Sequence, residues 1–262
     1  MTKFIDKKTN LFLILSGIFI TNAIVAEIVG GKIFSLEETI GMSPMQISLW
    51  GEQWSFNLTA GVILWPVVFI STDIINEYFG KEGVKKISYF TVILIVYVFG
   101  AIYLITLLAP AGFWIDSNNT DDQGNYLNIS FAFNSIFRQG LWIIAGSLVA
   151  FIIGQMLDAF VFHKLRGITG KKLLWARATG STLISQLIDS FVVLFIAFYI
   201  SGKLPLAAVI SIGIVNYIYK FLIAVIITPL LYIGHFFIDK YLGKDLSEKM
   251  MKDASDTSKS FF

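Results

Sequence analysis

The chain is expected to fold as an all-α polytopic membrane protein of six transmembrane helices with both termini in the cytoplasm. Composition is the first reason. Of 262 residues, 56% are hydrophobic and 15% charged, against roughly a quarter charged in soluble domains, and mean hydropathy is +0.73. The second is length: six apolar runs each supply the about 20 residues that a spanning helix requires. The third is that basic residues gather on alternate loops, which sets orientation.

Taken in order, Lys3, Lys7 and Lys8 precede span one, Asn10–Val29. A basic start, an apolar run and the small residues Ala23 and Ala26 also suit a cleaved signal. The length of the run and its embedded Asn22 and Glu27 favour a retained span. The loop Gly30–Asn57 carries Lys32 beside Glu37, Glu38 and Glu52. Span two, Leu58–Tyr78, is followed by Lys81, Lys85 and Lys86, and span three is Ile87–Ala109. The loop Pro110–Gln139 holds Asp116, Asp121 and Asp122, with Arg138 at its border. Span four, Gly140–Phe162, leads into Lys164, Arg166, Lys171 and Lys172. Span five, Leu174–Ile200, is followed by Lys203 alone. Span six, Ala207–Ile233, precedes Lys240, Lys244, Lys249, Lys252 and Lys259.

Basic clusters on one side and acidic loops on the other place both termini inside, in a plasma (inner) membrane. The same split speaks against nucleic acid, since the net charge of +2 forms no continuous basic face. No soluble domain fits between the spans, so residues 1–262 form one membrane domain. The tail 244–262 is polar and expected to be flexible beyond a short juxtamembrane helix. Spans one to three and four to six, three helices each, would be inverted halves. Asp73 then corresponds to Asp189, and Asn22 with Glu27 to Gln155 with Asp158.

Glu27, Asp73, Glu77, Asp158, Asp189, Arg177 and Lys220 lie within or at the edges of apolar runs. A charge at bilayer depth costs roughly 2.5–3.5 kcal/mol on insertion scales, so several together point to a polar solute bound or moved inside the membrane. Asp73, Asn76 and Glu77 share one helical face, with Ile74, Ile75, Tyr78 and Phe79 opposite. Gln155 and Asp158 are three apart in span four. Span five carries the stripe Arg177, Ser181, Ser185 and a second ridge, Gln186 with Asp189. Asp189 is too deep to reach water, and Lys220, one turn beyond Asn216, is its natural partner by depth and sign. For Lys220 that pair suits ligand binding or a helix lock equally, since interhelical polar contacts average only about 0.6 kcal/mol, whereas the depth of Asp189 favours a functional role.

Other features carry less. His163 and His235 are too far apart in sequence for a metal site. Trp50, Trp54, Trp114 and Trp175 suit interfacial belts, whereas Trp65 and Trp142 fall inside spans and suit stacking on a planar ligand. Pro66 and Pro229 mark kinks in spans two and six. Gly167-Ile-Thr-Gly-Lys171 lacks the P-loop spacing, and neither His-Glu-x-x-His nor Gly-x-Ser-x-Gly occurs. The chain has no cysteine, hence no disulfide or thiolate metal site. No cofactor is expected.

Four motifs together resemble the queuosine precursor transporter family, also called vitamin uptake transporters. They are Thr72-Asp-Ile-Ile-Asn-Glu-Tyr-Phe-Gly80-Lys, then Gly154-Gln-x-Leu-Asp158 running to Arg166, then Ser181-Thr through Asp189-Ser to Phe198, then Asn216-Tyr-x-x-Lys220. They occur in the family's order through spans two, four, five and six. The regions Leu36–Asn57 and Trp114–Phe133 are longer than in compact members. The resemblance implies a six-span importer of 7-cyano- or 7-aminomethyl-7-deazaguanine bases. The residues suit such a base. A carboxylate accepts its ring N–H and exocyclic amine as a fork, an amide or lysine donates to its carbonyl, and an aromatic covers its face. The substrate-binding candidates are Asp73, Asn76, Glu77, Gln155, Asp158, Gln186, Asp189, Asn216 and Lys220. None is assigned to catalysis or metal binding. A capture subunit served by a separate ATPase, or a membrane enzyme, are the alternatives; homo-oligomerisation stays open.

Overall fold

The structure, a computed structural model, describes residues 6–30, 32–43, 47–49, 52–54, 57–138, 141–169, 173–202 and 204–257. Gly140, Trp50, Lys3, Lys171, Lys172, Lys203 and Lys259, used in the sequence reading, lie outside these residues, as do the side chains of Trp54 and Trp142. Among the described residues, five helices are long and apolar enough to cross a membrane: Lys7–Val29, Trp65–Ile105, Gly146–Thr169, Leu174–Ile200 and Leu206–Leu242. Large apolar side chains such as Leu13, Ile93, Val96, Ile226 and Phe236 point outward, as a lipid solvent permits. The described chain is therefore an α-helical membrane protein.

Helix α1 is Lys7–Val29. Asp6 caps it by accepting from the Thr9 amide at 2.7 Å, and these bonds hold its carboxyl below the ordinary value. The following loop, expected to be longer than in compact members of the family, forms two small antiparallel ribbons and the short helix α2, Leu36–Thr39. Strand β1 (Ile33–Ser35) pairs with β4 (Asn57–Thr59), and β2 (Ile47–Leu49) with β3 (Glu52–Trp54). Span two consequently starts later than Leu58. Residues 57–59 are occupied by the ladder, Ala60–Ile63 is a 3-10 turn, and Pro66 sits in the first turn of the next helix. A proline there lacks only an N–H that would be unbonded anyway, so Pro66 starts a helix and does not kink one.

Helix α3, Trp65–Ile105, joins expected spans two and three across Gly80. Its 41 residues would measure about 61 Å if straight, twice the about 30 Å of a hydrocarbon core. It is not straight: Gly80 has φ 71° and ψ −175°, a conformation open essentially to glycine. A Cβ placed on Gly83 would lie 3.3 Å from Ile75 Cγ2. Residues eight apart in an unbroken helix are separated by about 12 Å, so the segment after Gly80 turns back on the one before it.

Span three ends at Ile105, short of Ala109. Arg138 Nε donates to Thr106 Oγ1 and Nη2 to the Thr106 carbonyl, both at 2.8 Å, satisfying groups a helix end leaves open. The next loop contains the short helices α4 (Gly112–Ser117) and α5 (Ile129–Phe137). Helix α6 is Leu141–Thr169 and α7 is Leu174–Leu194, continued by a π-helical turn to Ile200. Helix α8, Leu206–Leu242, contains Pro229 and runs past the expected end at Ile233.

The tail, expected to be a short juxtamembrane helix followed by a flexible stretch, holds the docked helix α9 (Lys244–Thr257). Ser247, Met250 and Ala254 are buried, Arg166 Nη2 donates to the Met251 carbonyl at 2.6 Å, and Gly80 faces the Ala254 carbonyl. Ser247 also bonds Asp239, which accepts from the Tyr78 hydroxyl at 2.7 Å. That hydroxyl lies 2.9 Å from His235 Nδ1. The bundle core includes Phe19, Val68, Ile75, Tyr78, Val84 and Phe162.

Candidate functional site

Three helices bring one polar face each to the centre of the bundle. On α3, Trp65, Phe69, Thr72 and Asn76 recur at helical spacing, and Thr72, Asp73, Asn76 and Glu77 are all buried. On α6, Phe151, Gln155 and Asp158 do the same. On α7 the buried face is Arg177, Ser181, Thr182, Ser185 and Gln186. Ile74, Ile75 and Tyr78, expected as an outer apolar face of α3, are buried too, because α1, α8 and α9 pack around that helix.

Asp158 is the hub. Its Oδ2 accepts from Asn76 Nδ2 at 3.4 Å, and Oδ1 from Thr182 Oγ1 at 3.4 Å and Ser185 Oγ at 3.5 Å. Gln155 Oε1 accepts from Thr72 Oγ1 at 3.1 Å. Glu77 is held differently: Arg177 Nη2 lies 2.6 Å and Arg166 Nη2 3.5 Å from its Oε1. Arg166 Nη1 also donates to its carbonyl at 3.2 Å. Arg177 is 1% exposed and stands 5.6 Å over the Phe162 ring. Asp189 and Lys220 form the ion pair that depth and sign suggested.

A recess opens among α3, α6 and α7. Trp65, Phe69 and Phe151 form its aromatic wall, and Thr72, Gln155, Asp158, Ser185, Gln186 and Asp189 its polar wall. The rings cluster, with Trp65 centred 5.9 Å from Phe69 and 5.8 Å from Phe151. The space admits about one water molecule, so a purine-sized solute requires the walls to part. A second recess, between α3, α7 and α8, is lined by Asp73, Thr179, Thr182 and Thr228 among apolar residues, and shares Phe69 with the first.

The structure thus gathers Gln155, Asp158, Gln186 and Asp189 on one recess, with Asn76 and Lys220 one bond behind it. Asp73 belongs to the second recess and Glu77 to an ion-pair network. Asn216 is half-buried and lines neither. Phe69, Phe151 and the partnership of Arg166 and Arg177 with Glu77 are additions. The two phenylalanines sit on the same i, i+4, i+7 stripes as the polar residues, which is the signal that identifies them in the sequence. Glu27 accepts from Ser147 Oγ at 2.5 Å, tying α1 to α6, while Asn22 bonds back to its own helix at Ile18. Four buried carboxylate or amide oxygens, Asp73 Oδ1, Asn76 Oδ1, Glu77 Oε2 and Gln186 Oε1, have no hydrogen-bond partner among the described residues. Among those residues, no group of His, Cys, Asp and Glu is placed to hold a metal.

A family model described as "Putative vitamin uptake transporter" matches residues 59–234, a stretch that contains both recesses and excludes α1 and α9. A "Probable queuosine precursor transporter" of Bacillus subtilis (strain 168) is 31% identical over 180 residues, covering 68% of this chain and 72% of that protein. Another of that description, from Haemophilus influenzae, is 29% identical over 178 residues, 66% of each chain. The "Queuosine precursor transporter" of Escherichia coli (strain K12) is 28% identical over 187 residues, 65% of this chain and 69% of that one. No solved structure matches. With the matched region holding the whole polar centre of the bundle, the chain belongs to the vitamin uptake transporter family, a family of transporters and not of enzymes.

Proposed function

We propose that the chain imports queuosine precursors, bases of the 7-cyano- or 7-aminomethyl-7-deazaguanine type, through the recess between α3, α6 and α7. The names of its relatives supply the solute class. The observation that carries the reading is the pairing, in one recess, of three aromatic rings with Asp158 and an unpartnered Gln186 Oε1. A guanine-like edge offers donors, and this wall offers acceptors. Asp158 takes the ring N–H and exocyclic amine as a fork, Gln186 accepts a further N–H, and the Gln155 amide donates to the carbonyl. Asp189 stands where an aminomethyl cation would compete with Lys220.

In this reading the chain has six spans, α3 providing two on either side of Gly80, with both termini cytoplasmic in the inner membrane. Support comes from the ends that meet. Lys7 Nζ donates to the Tyr241 carbonyl at 2.8 Å, and α9 touches Gly80 and Arg166. The basic stretches at the start of α1, the α3 turn and the ends of α6 and α8 therefore share one end. Arg138, bonded to Thr106, lies at the end of the segment that leaves Gly80. The tight recess corresponds to an occluded state, and opening it on alternate sides moves the base.

The test is uptake of a labelled 7-deazaguanine base by cells lacking their own importer, read as queuosine restored in tRNA. The base should compete for uptake, and an analogue without the exocyclic amine should lose most competition. A well-expressed protein that neither restores queuosine nor takes up the base refutes the assignment.

A further inference from the structure

Asp73 is set apart from the base recess. The residue is only 6% exposed, it lines the second recess, and its Oδ1 has no hydrogen-bond partner among the described residues. The hydroxyls around it are already engaged. Thr179 and Thr228 bond each other at 3.0 Å, Thr228 donates to the Ala224 carbonyl at 2.9 Å, and Thr182 reaches Asp158. The bundle's cations are engaged as well, Arg166 and Arg177 with Glu77 and Lys220 with Asp189. The charged groups acting on Asp73 are Glu77 on its own helix, Asp158 from α6 and Arg177 from α7. Helix α8 presents Ala224, Ile227, Thr228 and Leu231 to the recess and nothing titratable.

We propose that Asp73, in this second recess, is the coupling site of the transporter and carries one proton inward with each base. The inference rests on the import function proposed above. A buried carboxylate that forms no ion pair among the described residues needs its charge removed or matched. One carboxylate among hydroxyls already bonded to each other and to backbone is a poor cage for a metal cation, but it suffices for a proton. An O–H bond forms on the Asp73 carboxylate when the recess faces outward. It breaks, returning the carboxylate, when the recess faces the cytoplasm. The link to the base is short. Thr72, next in sequence, holds Gln155, and Asn76, on the same face one turn on, holds Asp158. Charge on Asp73 also repels Asp158, so the base wall responds to the proton.

Two measurements on purified protein test this. Infrared spectra at neutral pH without substrate should show a carboxylic-acid C=O band that disappears in Asp73→Asn; an unchanged band overturns the proposal. In liposomes, an inward proton gradient should drive accumulation of a labelled 7-deazaguanine base by the wild type. Asp73→Asn should bind the base within about twofold of wild type, exchange it without a gradient, and lose accumulation. Accumulation retained, or binding lost, overturns the assignment. Should Asp73→Asn not fold, Asp73→Glu keeps the titrating group and should shift the pH midpoint of uptake; an unmoved midpoint overturns it. A wild type that binds no base refutes the import function, and the infrared band then decides the proton site alone.

Discussion

Replacing Glu77 with glutamine separates a structural lock from a binding residue. The substitution keeps the shape and removes the charge that faces Arg177 at 2.6 Å and Arg166 at 3.5 Å. Arg177 is 1% exposed and cannot move its guanidinium to water. Breaking a buried pair by removing one partner costs about 3–5 kcal/mol, because the other charge is left uncompensated. Interhelical polar contacts in membranes average only about 0.6 kcal/mol, but that figure describes neutral groups, and Arg177 carries a full charge. At about 2–4 °C per kcal/mol for a chain of this size, Glu77→Gln should lower the melting temperature in detergent by about 6–20 °C. Replacing Arg177 with methionine in the same chain should recover more than half of the loss, since the stranded charge is gone. A Glu77→Gln protein that melts with the wild type and has lost base binding refutes the lock and returns Glu77 to the substrate site.

Gly80→Ala should destabilise by about 1–3 kcal/mol for its backbone conformation alone, more with the Ala254 carbonyl 3.1 Å from the added Cβ; thermal unfolding reads it, and an unchanged transition refutes the break at Gly80. Asp189→Asn keeps the side chain's shape and a carbonyl oxygen that can accept from Lys220, whose side chain is 15% exposed against 2% for Arg177, so the protein should fold while uptake falls at least about tenfold; a fully active variant removes Asp189 from the site. Asp121 accepts from the Gln123 and Asn125 amides at 2.9 and 2.8 Å, which holds its carboxyl below the ordinary 3.8. A depressed carboxylate stabilises above its unfolded value and loses that as pH falls through the folded one. Amide exchange at Gln123 and Asn125 should therefore stay slow as pH passes the ordinary value and quicken only below it; quickening at the ordinary value refutes the bonds.

Spans one, five and six are legible because burial in lipid needs only a long apolar run, and α1, α7 and α8 are such runs. The start of span two is not, because Leu58 reads as apolar yet pairs in a ladder with Phe34, a partner 24 positions away that hydropathy does not weigh. Nor is the continuous α3: Lys81–Lys86 is too polar to count as span, but nothing in it except Gly83 opposes helix, and a single glycine makes the turn. Helix α9 escapes for the converse reason. Its apolar residues, Leu246, Met250, Met251 and Ala254, are too few to raise mean hydropathy, yet they meet a protein surface.

In the site, what the sequence displays is a charge's depth and face; what it conceals is the neighbour. Asp189 and Lys220 could be matched because each is the deepest charge in adjacent spans. Glu77 could not be matched to Arg177 or Arg166, since the helices that bring them together are joined only in three dimensions. That is why Asp73, Glu77, Asp158 and Asp189 look alike in the sequence and differ in the fold. Glu77 and Asp189 face cations, Asp158 faces only neutral donors, and Asp73 Oδ1 faces none. A carboxylate set between two buried cations, as Glu77 is, is already compensated, and one with a single cation, as Asp189 is, can take a solute's cation only in exchange. The two without one keep unspent acceptor capacity at the centre of the bundle, Asp158 on α6 beside the aromatic wall and Asp73 on α3 behind it, and in the proposed reading that asymmetry divides solute binding from coupling between two adjacent helices.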